Sequence, residues 1–196
     1  MAPTIMRMLG LEMRPDFDGE PVAYTADELS TSTKLEMVNV EFWNAGSPAP
    51  VGIGHNGYYN NTYKALRLVS GNYSLFYSSW CTGERELYDM QTDFVQMDNR
   101  LLSDAIGPGN SYYGRTESEL VDRLDALLMV TKGCKQGSCR LPWKSIFPAG
   151  EVEDLEAAMD EQYDAFFQSQ PKVSFSSCPA GHIVAEEGPQ EILAFT

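Results

Sequence analysis

Cysteines are the residues of this 196-residue chain best suited to metal or redox chemistry. Four residues separate Cys134 from Cys139, and three separate Cys178 from His182. Three thiolates and one imidazole at these spacings could surround a tetrahedral Zn²⁺ ion. A local disulfide between Cys134 and Cys139 is simpler, and reduced thiols are a third interpretation. The sequence leaves all three open, and it offers no evident partner for Cys81.

Acidic side chains occur in two pairs that could take part in catalysis, Asp16 with Asp18 and Asp89 with Asp93. General acid and base catalysis needs two carboxylates in different environments, one of them with a raised pKa. The first pair lies in a turn and the second at a predicted strand end. Aspartates in such places more often accept hydrogen bonds from nearby backbone amides, and we expect that structural role.

The segment 151–164 holds seven carboxylates and no basic residue, which is typical of a solvated helix face. A basic group precedes it and consists of Lys132, Lys135, Arg140 and Lys144. The acidic segment and the basic group could complement each other, or the basic group could bind an anion. We expect the first arrangement.

A histidine and two asparagines complete the candidate site residues. His55 lies in a glycine-flanked loop, 52–57, where an imidazole could line a pocket. It has no evident serine, cysteine or aspartate partner for a nucleophilic triad, so we expect a surface loop position. Asn60 and Asn72 each begin an Asn-x-Ser/Thr sequon for N-glycosylation, which would agree with a secretory lineage.

The elements that would position these residues are four strands followed by two helices. Short connections that contain glycine join the last three strands, as antiparallel hairpins require. Strands before helices favour an α+β fold, in which helices pack on one face of a four-stranded antiparallel sheet. Alternation predicts strands at 37–43, 62–69, 73–80, 84–90 and, in the tail, 172–175, while helical spacing predicts helices at 117–132 and 151–167.

The first ten residues predict a helix that already belongs to a fold. Thr4 could cap it, Gly10 could end it, and Ile5, Met8 and Leu9 would share one face. The sequence has no signal peptide pattern at this end. A chain that opens in this way is expected to be truncated.

Composition excludes two classes of partner. The chain has 28 acidic and 14 basic residues and a formal charge of −14, which argues against binding to nucleic acid phosphates. Its apolar runs are far shorter than the roughly 20 residues of a membrane-spanning helix, so no membrane partner is expected. The length fits one globular domain or a piece of a larger protein.

Several segments, in order along the chain, resemble sulfatases. Ala2-Pro-Thr-Ile-Met6 with Phe17-Asp-Gly19 resembles the segment that closes the catalytic domain, and Glu86-Leu-Tyr-Asp-Met90 resembles the C-terminal signature. Phe94 stands where the family prefers proline, and Arg100 interrupts an Asn-Leu pair. Further segments resemble fungal arylsulfatases, namely 38–43, 61–67, 120–128, 139–143 and 170–178.

The resemblance implies a fold and an activity. Residues 1–33 would be the remnant of an α/β catalytic domain similar to alkaline phosphatase, and residues 34–196 would be the C-terminal subdomain. The family hydrolyses sulfate esters with a formylglycine, made from the cysteine of a Cys-x-Pro-Ser-Arg motif, and with Ca²⁺ or Mg²⁺. No cysteine of this chain lies in that motif. We therefore expect no catalytic, cofactor or metal residue in this chain, although the full-length family member would contain these groups.

The resemblance also implies a partner and a lineage. The partner would be the missing catalytic domain, packed on an apolar surface around Ile5, Met8 and Leu9. The full-length family suggests a secretory or extracellular lineage. A non-enzymatic binding or structural module derived from a sulfatase remains the alternative interpretation.

Overall fold

The computed structural model of the protein describes residues 2–31, 35–43, 60–102 and 114–178. Its elements follow the chain as α1 (Ala2–Met8), α2 (Ala26–Thr31), β1 (Met37–Phe42), β2 (Tyr63–Val69), β3 (Ser74–Trp80), β4 (Arg85–Asp89), α3 (Glu117–Thr131), α4 (Gly137–Arg140), α5 (Pro142–Ile146), α6 (Leu155–Ala158), a 3-10 helix (Glu161–Tyr163) and α7 (Asp164–Ser169). None of the described helices is long and apolar enough to cross a bilayer.

The four strands form one antiparallel sheet in the order β1-β2-β3-β4. In its middle row, Asn39 stands opposite Leu66, Leu66 opposite Tyr77, and Tyr77 opposite Leu87. Each strand pairs with the next one in sequence, so the predicted α+β arrangement of consecutive antiparallel strands is confirmed. Side chains alternate between the two faces of such a sheet, and we call the face that carries Leu66 the inner face.

The hydrophobic core lies between the inner face and the C-terminal helices. Helix α3 contributes leucines that are fully buried in the same apolar cluster as the inner-face residues, and α5 and α7 pack against α3. Burial of each such side chain contributes roughly 1.5–3 kcal/mol. The fully buried core leucines are Leu66, Leu68, Leu75 and Leu87 of the sheet and Leu120, Leu124, Leu127 and Leu128 of α3.

Both ends of α3 are closed by side chains. At its start, the Glu119 amide donates to the Thr116 hydroxyl at 3.2 Å, and the Thr116 amide donates to the Glu119 carboxylate at 2.8 Å. At its end, the carbonyl of Thr131 accepts from Asn39, and the next carbonyl accepts from the Lys64 ammonium, both at 3.3 Å. The sheet thus supplies donors to helix carbonyls that have no partner within the helix.

The acidic segment does not form the single helix predicted at 151–167. It is divided into α6, the 3-10 helix and α7. The Asp154 carboxylate accepts from the amide of Ala157 at 2.8 Å, and the Asp160 carboxylate accepts from that of Gln162 at 2.9 Å. Each aspartate has an extended backbone and caps a new helix start, which interrupts the continuous helix that the apolar spacing predicts.

The strand predicted at 172–175 is also wrong, because these residues carry no strand. Side chains hold the segment in place of a backbone ladder. Lys172 forms an ion pair with Asp122 of α3 at 2.7 Å, and Arg85 of β4 donates to the Val173 carbonyl at 3.3 Å. Residues 133–143, between the two predicted helices, contain α4 and the start of α5, where Pro142 occupies the first turn.

An N-terminal arm of residues 2–31 precedes the sheet. Helix α1 is followed by Gly10 at φ +67, a left-handed conformation that glycine adopts without strain. The sequence predicts Thr4 as the cap of this helix, and this prediction is wrong. Thr4 lies buried within α1, and its hydroxyl accepts from the Val22 amide at 3.0 Å. Thr25 and Glu28 form a capping box at the start of α2.

Candidate functional surface

All four cysteines of the chain are in disulfides. Cys134 is bonded to Cys139, and Cys81, in the β3–β4 turn, is bonded to Cys178. A zinc site needs free thiolates, so none of these disulfide-bonded cysteines can be a zinc ligand. His182 lies outside the described residues. Sequence spacing contained no signal for the second pair, whose members are 97 residues apart.

The acidic pairs make structural contacts. Asp16 accepts from Arg14 at 2.9 Å, and Asp18 accepts from the Gln136 amide at 2.7 Å, which ties the N-terminal arm to the start of α4. Asp93 accepts hydrogen bonds from the backbone amides of Met97 and Asp98 in the turn after β4. These bonds, that of Met97 above all, hold the pKa of the Asp93 carboxyl below its usual value. No three His, Cys, Asp or Glu side chains among the described residues cluster to hold a metal.

The basic group does not neutralise the acidic segment within the described residues. Arg140 instead forms an ion pair with Glu20 of the N-terminal arm at 2.9 Å. Asp164 in the acidic segment pairs with Arg115 at 2.8 Å and with Arg123 at 2.5 Å. The predicted complementarity is therefore wrong. The cations that pair with the acidic segment are Arg115, just before α3, and Arg123, in the middle of α3, because that helix packs against α7.

Asp125 is a buried carboxylate of the kind often found at catalytic sites. It accepts from the Tyr77 hydroxyl at 2.9 Å and pairs with Arg85 at 2.9 Å, while burial raises its pKa. Burial also raises the pKa of Tyr77. Asp125 has no exposed surface, so no substrate could reach it. The arrangement joins β3 and β4 to α3.

Glu36, just before β1, is a second largely buried carboxylate. It accepts from the Tyr73 hydroxyl, from the Trp143 indole at 2.5 Å and from the Leu155 amide at 3.1 Å. Burial raises its pKa above the usual 4.5, although these donors oppose that shift. Glu36 thus fastens the start of the sheet to α5 and α6.

We predict that Glu36 gives the protein a pH dependence of known sign. A carboxyl with a raised folded-state pKa binds its proton more readily in the folded protein than in the unfolded chain. The folded state is therefore favoured as the pH falls from 7 through 4.5. The free energy of unfolding of the wild type, relative to Glu36→Gln, should rise over this range in urea titrations.

Asp93→Asn provides a control of opposite sign for that measurement. Backbone hydrogen bonds lower the pKa of Asp93. Its contribution to the free energy of unfolding is therefore present above pH 3.8 and is lost as the pH falls further. The wild type should lose stability relative to Asp93→Asn under acidification. A flat difference between the wild type and Glu36→Gln would contradict the assigned role of Glu36.

Among the exposed large apolar side chains of the described residues, two groups could form contact surfaces. The N-terminal apolar patch, defined as Ile5, Met8 and Leu9, is exposed as expected, with Leu9 at 67%. The turn after β4 exposes Phe94 at 76% and also Met97. Sequence reasoning missed this second place as a surface, although Phe94 departs from the sulfatase pattern there. Apolar exposure of this kind is typical of contact surfaces.

The two sequon asparagines are exposed, and His55 lies outside the described residues. Asn72, in the β2–β3 connection, donates to Glu156 at 2.8 Å. Asn60 lies just before β2, with a φ of +98. Its side chain makes no hydrogen bond to another described residue.

Known sulfatases are similar in sequence to this chain, although no family model and no solved structure matches it. It is 34% identical over 196 residues to "Sulfatase ppz1" of Metarhizium majus, which covers all of this chain and 38% of that protein. It is 29% identical to an arylsulfatase of Volvox carteri and 28% identical to one of Chlamydomonas reinhardtii, each over 90% of this chain and 27% of the relative. The chain thus spans well under half the length of these relatives.

Proposed function

The chain belongs to the sulfatase family, and on this basis we propose that it forms the C-terminal part of a fungal-type arylsulfatase, a sulfuric ester hydrolase. The observation that carries this proposal is the match of the whole chain to 38% of a fungal sulfatase. Residues 1–33 would be the last elements of the catalytic domain, and residues 34–196 the C-terminal subdomain. The order of the sequence motifs supports this division.

The groups that perform the reaction would lie elsewhere in the whole protein. Formylglycine would supply the nucleophile there, and Ca²⁺ or Mg²⁺ would polarise the sulfate. The residues described here do not fit either group, because all four cysteines are in disulfides and no acidic cluster suits a metal. We therefore assign no chemical step to this chain.

The role of this chain would be to support the catalytic domain. The N-terminal apolar patch offers Met8 at 62% exposure as part of a surface for that domain. The N-terminal arm is held to the rest of the fold by the Arg140–Glu20 ion pair and the Asp18 contact with the start of α4. These two contacts link the arm at Asp18 and Glu20 to α4.

The proposal predicts that the purified 196-residue chain does not hydrolyse aryl sulfates. Release of 4-nitrophenol from 4-nitrophenyl sulfate should stay at the uncatalysed rate with Ca²⁺ or Mg²⁺ added, since the chain has no nucleophile for the reaction. An arylsulfatase assayed in parallel serves as the positive control. Metal-dependent turnover by this chain, lost on chelation, would show that it holds its own active site.

A non-enzymatic binding or structural module derived from a sulfatase is the second candidate. It is favoured because no cysteine of the chain is free for conversion to formylglycine. The genomic DNA upstream of the Met1 codon distinguishes the two candidates. An in-frame Cys-x-Pro-Ser-Arg coding segment would support the enzyme. Stop codons directly upstream would support the separate module.

A further inference from the structure

Three aromatic residues form a row across the outer face of the sheet, which is the face opposite α3. Phe42 of β1 stands opposite Tyr63 of β2, and Tyr63 stands opposite Trp80 of β3. The ring centroids are 6.0 Å apart in the first pair and 4.7 Å apart in the second. Phe42 is 43% exposed, and the other two are half-buried. We call these three residues the aromatic row.

Asn60 lies at the same end of the sheet as the aromatic row. It precedes Tyr63 by three residues, which span at most about 11 Å even when fully extended. Its sequon is completed by Thr62. The Asn60 side chain is exposed and makes no hydrogen bond to another described residue. Asn72 differs, since it lies in the β2–β3 connection at the other end of the strands and donates to Glu156.

We propose that Asn60 carries an N-linked glycan whose first sugar packs on the aromatic row. The two disulfides indicate an oxidising compartment, where such glycans are attached. The apolar C–H face of a sugar ring fits the face of an aromatic ring, and the half-exposed row offers such faces beside the attachment point. This inference does not depend on sulfatase activity.

The modification uses an oligosaccharide carried on a lipid diphosphate and a separate transferase. The amide nitrogen of Asn60 forms a bond to the anomeric carbon of the first sugar. The bond from that carbon to the diphosphate oxygen breaks, and the lipid diphosphate leaves with the electron pair. The amide loses one proton, so atoms and charge balance without any oxidant.

Occupancy is tested by mass spectrometry of the chain secreted from a eukaryotic host. We expect the peptide that contains Asn60 to carry a glycan, and enzymatic removal of the glycan should leave aspartate at this position. An unmodified Asn60 peptide would overturn the proposal, whatever the state of Asn72.

Contact with the aromatic row is tested by thermal unfolding. Asn60→Gln should lower Tm by about 2–4 °C relative to the glycosylated protein, whereas the matched control Asn72→Gln should change it by less than half as much. In a Tyr63→Thr background, the decrease in Tm caused by Asn60→Gln should be at most half as large. If Tyr63→Thr is not secreted, Phe42→Ser replaces it. An unchanged difference in the background used would overturn the contact.

Discussion

Replacing both Cys81 and Cys178 by alanine should lower the free energy of unfolding by about 3–5 kcal/mol. The bond joins residues 97 apart, so it removes much conformational freedom from the unfolded chain. It also holds the segment after α7 against the β3–β4 turn, near the contact between Arg85 and the Val173 carbonyl. Urea titration of the double variant measures the loss.

The second disulfide is the matched control for this prediction. Cys134 and Cys139 are only five residues apart, and a bond that closes so short a loop restricts the unfolded chain less. Replacing both by alanine should cost about 2 kcal/mol. If the short-range variant lost as much stability as the long-range one, strain or contacts in the folded state would dominate, and the loop-length argument would fail.

Arg123→Met should cost about 3–5 kcal/mol, because it removes a buried cation that donates several hydrogen bonds. The guanidinium is fully buried in the middle of α3. It donates to the carbonyls of Ala158 at 2.6 Å and Asp160 at 3.2 Å, and it pairs with Asp164 at 2.5 Å. Methionine fills similar space but leaves the two carbonyls without this donor and leaves Asp164 paired with Arg115 alone, so the loss reports on the polar contacts.

Arg115→Met is the matched control for Arg123→Met. Arg115 also binds Asp164 and donates to a carbonyl, that of Met159 at 3.0 Å. Its side chain is 16% exposed, so water can replace some of its hydrogen bonds in the variant. We therefore expect the free energy of unfolding to fall by about 1 kcal/mol. Hydrogen exchange in 155–169 should accelerate more in Arg123→Met than in Arg115→Met. Equal effects of the two variants would refute the assigned importance of burial.

The sheet and its main helix were predictable because their signals are local. Alternation placed β1 to β4 within a residue of their observed ends, and the short connections with glycine required antiparallel neighbours. The apolar face of 117–132 predicted α3. Asp154 and Asp160 explain why the apolar spacing of 151–167 does not produce one continuous helix. A carboxylate that caps a helix start outweighed an apolar periodicity that was otherwise continuous.

The sequence by itself determined the α+β class, the order of the strands and the resemblance to sulfatases, since each depends on residue type and spacing along the chain. Tertiary structure decided the pairing of Cys81 with Cys178 and the partners of the charged groups. Arg140 meets Glu20, and Arg123 meets Asp164, because packing brings together segments far apart in sequence. Spacing along a chain contains no information about such distances until the elements are packed.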